Sequence, residues 1–223
     1  MTIFLSGGGS GKDSREIDIE FVKRINKEKP VLYIPLAGEP PYSSCLEWIR
    51  SNFKPYNFDN FYMVKTAEEL KQLNLENFSA IYIGGGNTYK LLADLQKIEF
   101  LKKLNKYLLG GGLFYGGSAG AIILGRDIRT SQDPIKIGLK DFSGLNLLEG
   151  MSIFCHFNKG EKKKIVDYQN KYEEIIVAIP ETSGLVVSDN SIRCIGSKEV
   201  IFFEKDGEKI LIPGQKFSLE TFK

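Results

Sequence analysis

Four short runs, IFL at residues 3–5, VLYI at 31–34, AIYI at 80–83 and LFY at 113–115, carry apolar or aromatic side chains at every position rather than at every second one. A strand with one wet face alternates, so a strand that is apolar throughout has to be covered on both faces, as strands of parallel sheets are. Between these runs lie amphipathic stretches. SREIDIEFVKRINKE (residues 14–28) puts Ile17, Phe21, Val22 and Ile25 largely on one helical side, and SSCLEWIRSNF (43–53), TYKLLADL (88–95), EFLKKLNKYLL (99–109) and SAGAIIL (118–124) also read as helices. TAEELKQL opens at Thr66 with Glu69 in capping-box spacing, and NFYMVKT before it reads as a strand. Strands alternating with helices predict a three-layer α/β/α sandwich on a mostly parallel sheet. Farther on, MSIFCHF (151–157) and EEIIVAIP (173–180) read as strands flanking the helix KGEKKKIVDYQNKY. The segment 183–214 reads as short strands turned at Asp189-Asn190 and Asp206-Gly207. No Pro/Ser-rich linker or repeat divides the 223 residues, so one domain over 1–223 is expected.

Open parallel sheets place their sites at the carboxyl ends of the strands. That directs attention to the residues just after the apolar runs. SGGGSGKDS (6–14) invites a phosphate-loop reading, but GxxxxGK[ST] read through Lys12 would need glycine at Ser6 and a hydroxyl at Asp13. A flexible strand-to-helix loop lining a cleft is the better expectation. GGGNT (84–88) follows AIYI and leads into a helix, so its amides can face a developing negative oxygen, while Asn87 or Thr88 can cap the helix. The glycines 110–112 precede a strand and therefore belong to the opposite edge.

Gly116-Gly117-Ser118-Ala119-Gly120 satisfies GxSxG between a strand and a helix. A nucleophile on so sharp a turn needs small neighbours, and the helix start supplies amides, with Ala119 as one oxyanion donor and the 84–88 loop as the source of a second. The base has few candidates, because the chain holds one histidine, His156, near the end of MSIFCHF and hence expected at the same sheet edge as Ser118. The acceptor that orients it is Glu181, at the end of AIPE, or Asp133 in TSQDPIK, with position favouring Glu181.

Taken in order, AIYIGGGNT, GGSAGA, RTSQDP, CHF and AIPE resemble the peptidase E and cyanophycinase family of serine peptidases. The resemblance implies a fold like that of the class I glutamine amidotransferases, with serine at the elbow. It implies Ser118 as nucleophile, His156 as general base and then acid, and Glu181 as the histidine's partner. Gly85 or Gly86 and Ala119 would be the oxyanion amides, Asn87, with Thr88 next to it, would lie beside the substrate, and Asp133 would be a substrate-site or supporting acid. The expected activity is hydrolysis of dipeptides or small peptides, N-terminal aspartyl peptides among them. One departure stands out: the family's arginine-bearing segment after the histidine has no counterpart, since no arginine lies between Arg129 and Arg193 and GEKKKIVDYQ offers lysines. Lysine lacks the bidentate fork.

Two other function classes remain: a non-catalytic small-molecule binding or regulatory protein of the same fold, and a nucleotide enzyme using residues 6–14. A single histidine without an HxxEH-like cluster argues against a metal, and no cofactor is expected. A net charge of +2 gives no basic field for nucleic acid, and no apolar run approaches a membrane span. Three well-separated cysteines, with no CxxC pair, point to reduced thiols in the cytoplasm. A small peptide is the expected partner, and homo-oligomerisation stays open.

Overall fold

The computed structural model describes residues 1–135 and 137–222. Strands β1 (Thr2–Ser6), β2 (Val31–Ile34), β3 (Phe61–Met63), β4 (Ala80–Ile83) and β5 (Leu113–Gly117) run parallel in the spatial order β1-β5-β4-β2-β3. Between them pass helices α1 (Arg15–Val22), α2 (Ser43–Phe53), α3 (Ala67–Gln72), α4 (Thr88–Lys97) and α5 (Phe100–Leu109); α6 (Ala119–Ile122) follows β5. At α3 the Thr66 hydroxyl accepts the Glu69 amide at 3.1 Å, as the capping spacing suggests.

The two strands flanking the next helix, β6 (Ser152–Phe154) and β7 (Ile176–Ala178) on either side of α7 (Lys162–Tyr172), do not join this sheet. The free edge of β1 is taken instead by the antiparallel strand β8 (Ser183–Ser188), followed by β9 (Ser191–Gly196). The large sheet therefore closes without β6 and β7, which pair with β10 (Val200–Glu204) and β11 (Gly207–Leu211) in a separate sheet ordered β11-β10-β7-β6. A last short strand, β12 (Lys216–Ser218), returns to β9 and brings the large sheet to eight strands.

The period-2 alternation of β1, β2, β4 and β5 sorts their side chains onto two faces. Leu5, Ile34, Ile83 and Phe114 pack under α4 and α5 in a core that continues through Val177 and Phe202 into the small sheet. Phe4, Tyr33, Tyr82 and Tyr115 face α1 and α2. The small sheet turns its other face, with Phe154, Ile176 and Phe203, onto Ile165 of α7. Beneath the Tyr115 ring lies the buried Asp18, whose carboxylate accepts the Ser14 and Tyr115 hydroxyls, both at 2.7 Å. Burial pushes its pKa up to about 6, outweighing both hydrogen bonds.

Candidate active site

Ser118 sits where β5 breaks into α6, with φ 49° and ψ −108°, a conformation that a residue with a Cβ rarely adopts. Surrounding contacts hold it there. Its amide donates to the Ser6 carbonyl at 3.1 Å, and its own carbonyl accepts the Ala121 and Ile122 amides at 2.8 and 2.9 Å, which starts the helix. The outer glycines of GxSxG are there because backbone comes close: a Cβ on Gly116 would stand 2.4 Å from the Gly120 carbonyl oxygen, and one on Gly120 2.2 Å from that of Ile83. The motif thus records an elbow pressed flat against β4.

His156 follows β6 and also has a positive φ, 57°. It is not delivered by the sheet that carries Ser118, as the common-edge expectation had it, but by the small sheet lying against it. Ser118 Oγ and His156 Nε2 are 2.7 Å apart, and His156 Nδ1 lies 2.7 Å from Glu181 Oε1. With the carboxylate on Nδ1, that nitrogen carries the proton and Nε2 presents its lone pair to the serine hydroxyl. Of the two candidate acids, Glu181 is the one whose carboxylate reaches the ring.

The loop after β1 joins these parts. The His156 amide donates to the Gly7 carbonyl at 2.9 Å, and the Gly9 amide to that of Glu181 at 3.2 Å. A Cβ on Gly8 would lie 2.2 Å from His156 Cε1. Residues 7–9, expected as a flexible lining, are therefore pinned against the histidine and the glutamate. Nothing in the GxxxxGK comparison could have shown this, because the contacts are made to residues 149 and 172 positions away.

The 84–88 loop is held from the other side. Asp133 Oδ2 accepts the Thr88 amide and hydroxyl, both at 2.8 Å, and the Ser131 hydroxyl at 2.6 Å. Asn87 caps α4 through the Lys90 amide at 2.9 Å and donates to the Pro134 carbonyl at 2.9 Å. Thr88 is fully buried, so the substrate contact expected of it is corrected to a structural one: both of its polar groups are spent on Asp133. Gly85 lies against the nucleophile, a Cβ there being 3.3 Å from Ser118 Cβ. Among the described residues no backbone carbonyl takes the amide hydrogen of Gly85, Gly86 or Ala119.

Two cavities meet at Ser118. One of about 270 Å³ is lined by Gly86, Gln132, Asp133, Cys155 and His156 among others. The other, of about 430 Å³, lies toward Ser10, Tyr33, Cys45, Trp48 and Tyr82. These aromatic residues were not singled out from the sequence, although their positions in β2, α2 and β4 follow from the alternation of each element. Of the lysines that stand where the resemblance looks for an arginine, Lys162 pairs with Glu208 at 2.6 Å, and Lys164 donates to Gln132 Oε1 at 2.8 Å. Burial pushes the Cys155 thiol well above the usual range, so it stays neutral.

An open α/β sheet with a strand-to-helix serine facing an imidazole is the frame of a serine hydrolase. A model of peptidase family S51 matches residues 2–195, and the chain belongs to that family. It is 30% identical over 193 residues to a "Peptidase E" of Nostoc sp., covering 81% of this chain and 78% of the relative. A Drosophila melanogaster protein called "Probable alpha-aspartyl dipeptidase" is 26% identical over 190 residues, with 80% and 78% covered. Among solved structures, a peptidase from an acI-B1 Actinobacterium superposes with a TM-score of 0.67 at 22% identity, covering 97% of this chain and 96% of the other. The protein is a serine-type peptidase of the dipeptidase kind.

Proposed function

We propose that Ser118 is the nucleophile of a dipeptidase reaction, His156 its general base and then acid, and Glu181 the group that holds the imidazole in its working tautomer. The observation that carries this is the continuous chain of two 2.7 Å contacts from Ser118 Oγ through both ring nitrogens to Glu181. Nε2 takes the serine proton as Oγ attacks the peptide carbonyl. The amides of Ala119 and of Gly85 or Gly86 receive the oxyanion, in keeping with their lack of a backbone acceptor. The imidazolium returns the proton to the leaving amine, and a water activated by the same nitrogen then hydrolyses the acyl-enzyme. Asn87 and Asp133 act chiefly by fixing the 84–88 loop, and Asp133 also presents its carboxylate to the smaller cavity.

Small peptides are the proposed partners. The name of the Drosophila relative extends this to dipeptides. Among the described residues no helix is long and apolar enough to cross a membrane, and Cys45, Cys155 and Cys194 are free thiols, which supports the cytoplasm as the working compartment. A fluorophosphonate tests the reading directly. We expect one stoichiometric adduct on Ser118, lost in His156→Ala, together with dipeptide hydrolysis lost in Ser118→Ala. An unlabelled, well-folded protein would instead be the non-catalytic binding protein of this fold.

A further inference from the structure

One wall of the site has no part in the serine relay. On the α1/α2 side of the large sheet four rings stand in a single cross-strand row, because Phe4, Tyr115, Tyr82 and Tyr33 are register partners along β1, β5, β4 and β2. Tyr82 lies parallel to Tyr115 at 4.4 Å, and Tyr33 meets Tyr82 edge to face at 5.6 Å. Trp48 of α2 leans on Tyr33 at 6.4 Å and remains 40% exposed, whereas Tyr33 and Tyr82 are 4% and 6% exposed. The end of the row thereby becomes the floor of the 430 Å³ cavity, and Trp48 its lip. The cavity reaches Ser118 and Gly85, and no lysine, arginine, aspartate or glutamate is among its described lining residues. Burial raises the Tyr33 hydroxyl and the Cys45 thiol above their usual values, so both stay neutral.

We infer that this cavity is the subsite for an apolar, preferentially aromatic side chain of the peptide, and that Trp48 and Tyr33 select it. The inference rests on the peptidase reading of Ser118. A substrate carboxylate entering here would shed its water and meet no cation. A phenyl ring would find edge-to-face partners already in place. The smaller cavity does not offset this for an acidic residue, since its wall presents the Asp133 carboxylate and no lysine or arginine is among its described lining residues.

The test is a dipeptide grid, X-Ala and Ala-X, with X being Phe, Leu, Ala, Asp or Lys. In one of the two series, kcat/KM for Phe should exceed that for Ala and for Asp by about tenfold or more. Trp48→Ala should bring the Phe-to-Ala ratio in that series to within about threefold, and Ser44→Arg should raise Asp relative to Phe. Trp48 is the sole tryptophan of the chain, so in Ser118→Ala its fluorescence should report saturable binding of the preferred Phe dipeptide. The inference is overturned by Asp leading in both series, by a Phe preference that Trp48→Ala leaves intact, or by no saturable fluorescence change. If Ser118 still takes the fluorophosphonate in any of those cases, the peptidase reading survives alone; an unlabelled Ser118 brings down both.

Discussion

Ser118 rises from the buried carboxyl edge of the large sheet, whereas His156 and Glu181 hang beyond the ends of two three-residue strands of the small one, with side chains 43% and 56% exposed. The serine is fixed by its own surroundings: positive φ, glycines at either side that leave no room for a Cβ, and a helix that starts at its carbonyl. The histidine arm is tied to itself across its two strands, the Phe157 amide donating to the Ile179 carbonyl at 3.1 Å and the Ile179 amide to the Phe154 carbonyl at 2.8 Å, but these bonds do not reach the serine. The arm's position comes from the loop after β1, whose residues 7–9 take hydrogen bonds from or donate them to His156, Glu181 and Ser183. The contrast shows where the 2.7 Å serine-histidine contact is vulnerable. It is an inter-sheet distance, bridged by the loop after β1 and by the Cys155 thiol, which donates to the Ser6 and Ser118 carbonyls at 3.7 Å.

The coarsest way to test this contrast is to remove the groups themselves. Ser118→Ala and His156→Ala should each lower turnover of a dipeptide on the order of 10⁶-fold, and the double variant no further, because the two act as a unit. Glu181→Gln should cost on the order of 10³ to 10⁴, since it orients the imidazole rather than reacting. Steady-state kcat per mole of folded protein measures all of these variants. A Glu181→Gln enzyme within a few-fold of the parent would mean that the histidine arm is oriented by its backbone contacts alone.

A subtler break leaves every reacting group in place. Gly8→Ala would put a methyl group into the His156 ring and force a residue at φ 111° to carry a Cβ. Displacing the imidazole by about 1 Å should cost on the order of 10² in kcat. Gly11→Ala is the matched control: it lies in the same loop at φ 60°, with nothing within 4 Å of the added carbon. A positive φ nearer the left-handed helical region, with no clash, should leave kcat within a few-fold. Equal losses in the two variants would show that the loop, and not its contact with the ring, is what matters.

The two halves of the site also differ in how far the sequence betrays them. The elbow is a local construction, so LFYGGSAGAIIL carries nearly all of it: strand, small residues, helix start and serine within twelve positions. Four of the five parallel strands, β1, β2, β4 and β5, are equally legible, because burial on both faces leaves continuous apolar runs, whereas the edge strand β3 leaves Tyr62 40% exposed. His156 and Glu181 could be picked out as the sole histidine and a strand-end carboxylate, yet the sheet they belong to could not be. Short strands pair wherever an edge is free, and the edge of β1 goes to β8 through a pairing that no local pattern announces. Thr88 is ambiguous in sequence for a related reason: a threonine at a helix start reads the same whether its hydroxyl faces a substrate or a carboxylate 45 residues away.

The smallest effect belongs to the serine half and concerns stability rather than rate. Asp18 has an ordinary carboxyl pKa of 3.8 when unfolded and one of about 6 beneath Tyr115, so the native state holds its proton more tightly than the unfolded chain does. Its contribution is therefore complete below pH 4 and is lost as the pH rises through 6. The span of about two pH units corresponds to a loss on the order of 2 to 3 kcal/mol between those limits. Asp18→Asn keeps an acceptor for the Tyr115 hydroxyl and removes the titration. Denaturant unfolding at pH 4 and pH 7 should show the variant gaining on the parent at the higher pH by about that amount, with kcat at pH 7 unchanged within about twofold. Such a split would place the strain of the elbow side in folding free energy and that of the histidine side in catalysis. A parent protein whose stability rises between pH 4 and 7 by the same margin as the variant's would show that Asp18 is ionised without penalty, and that the hydroxyls of Ser14 and Tyr115 offset its burial.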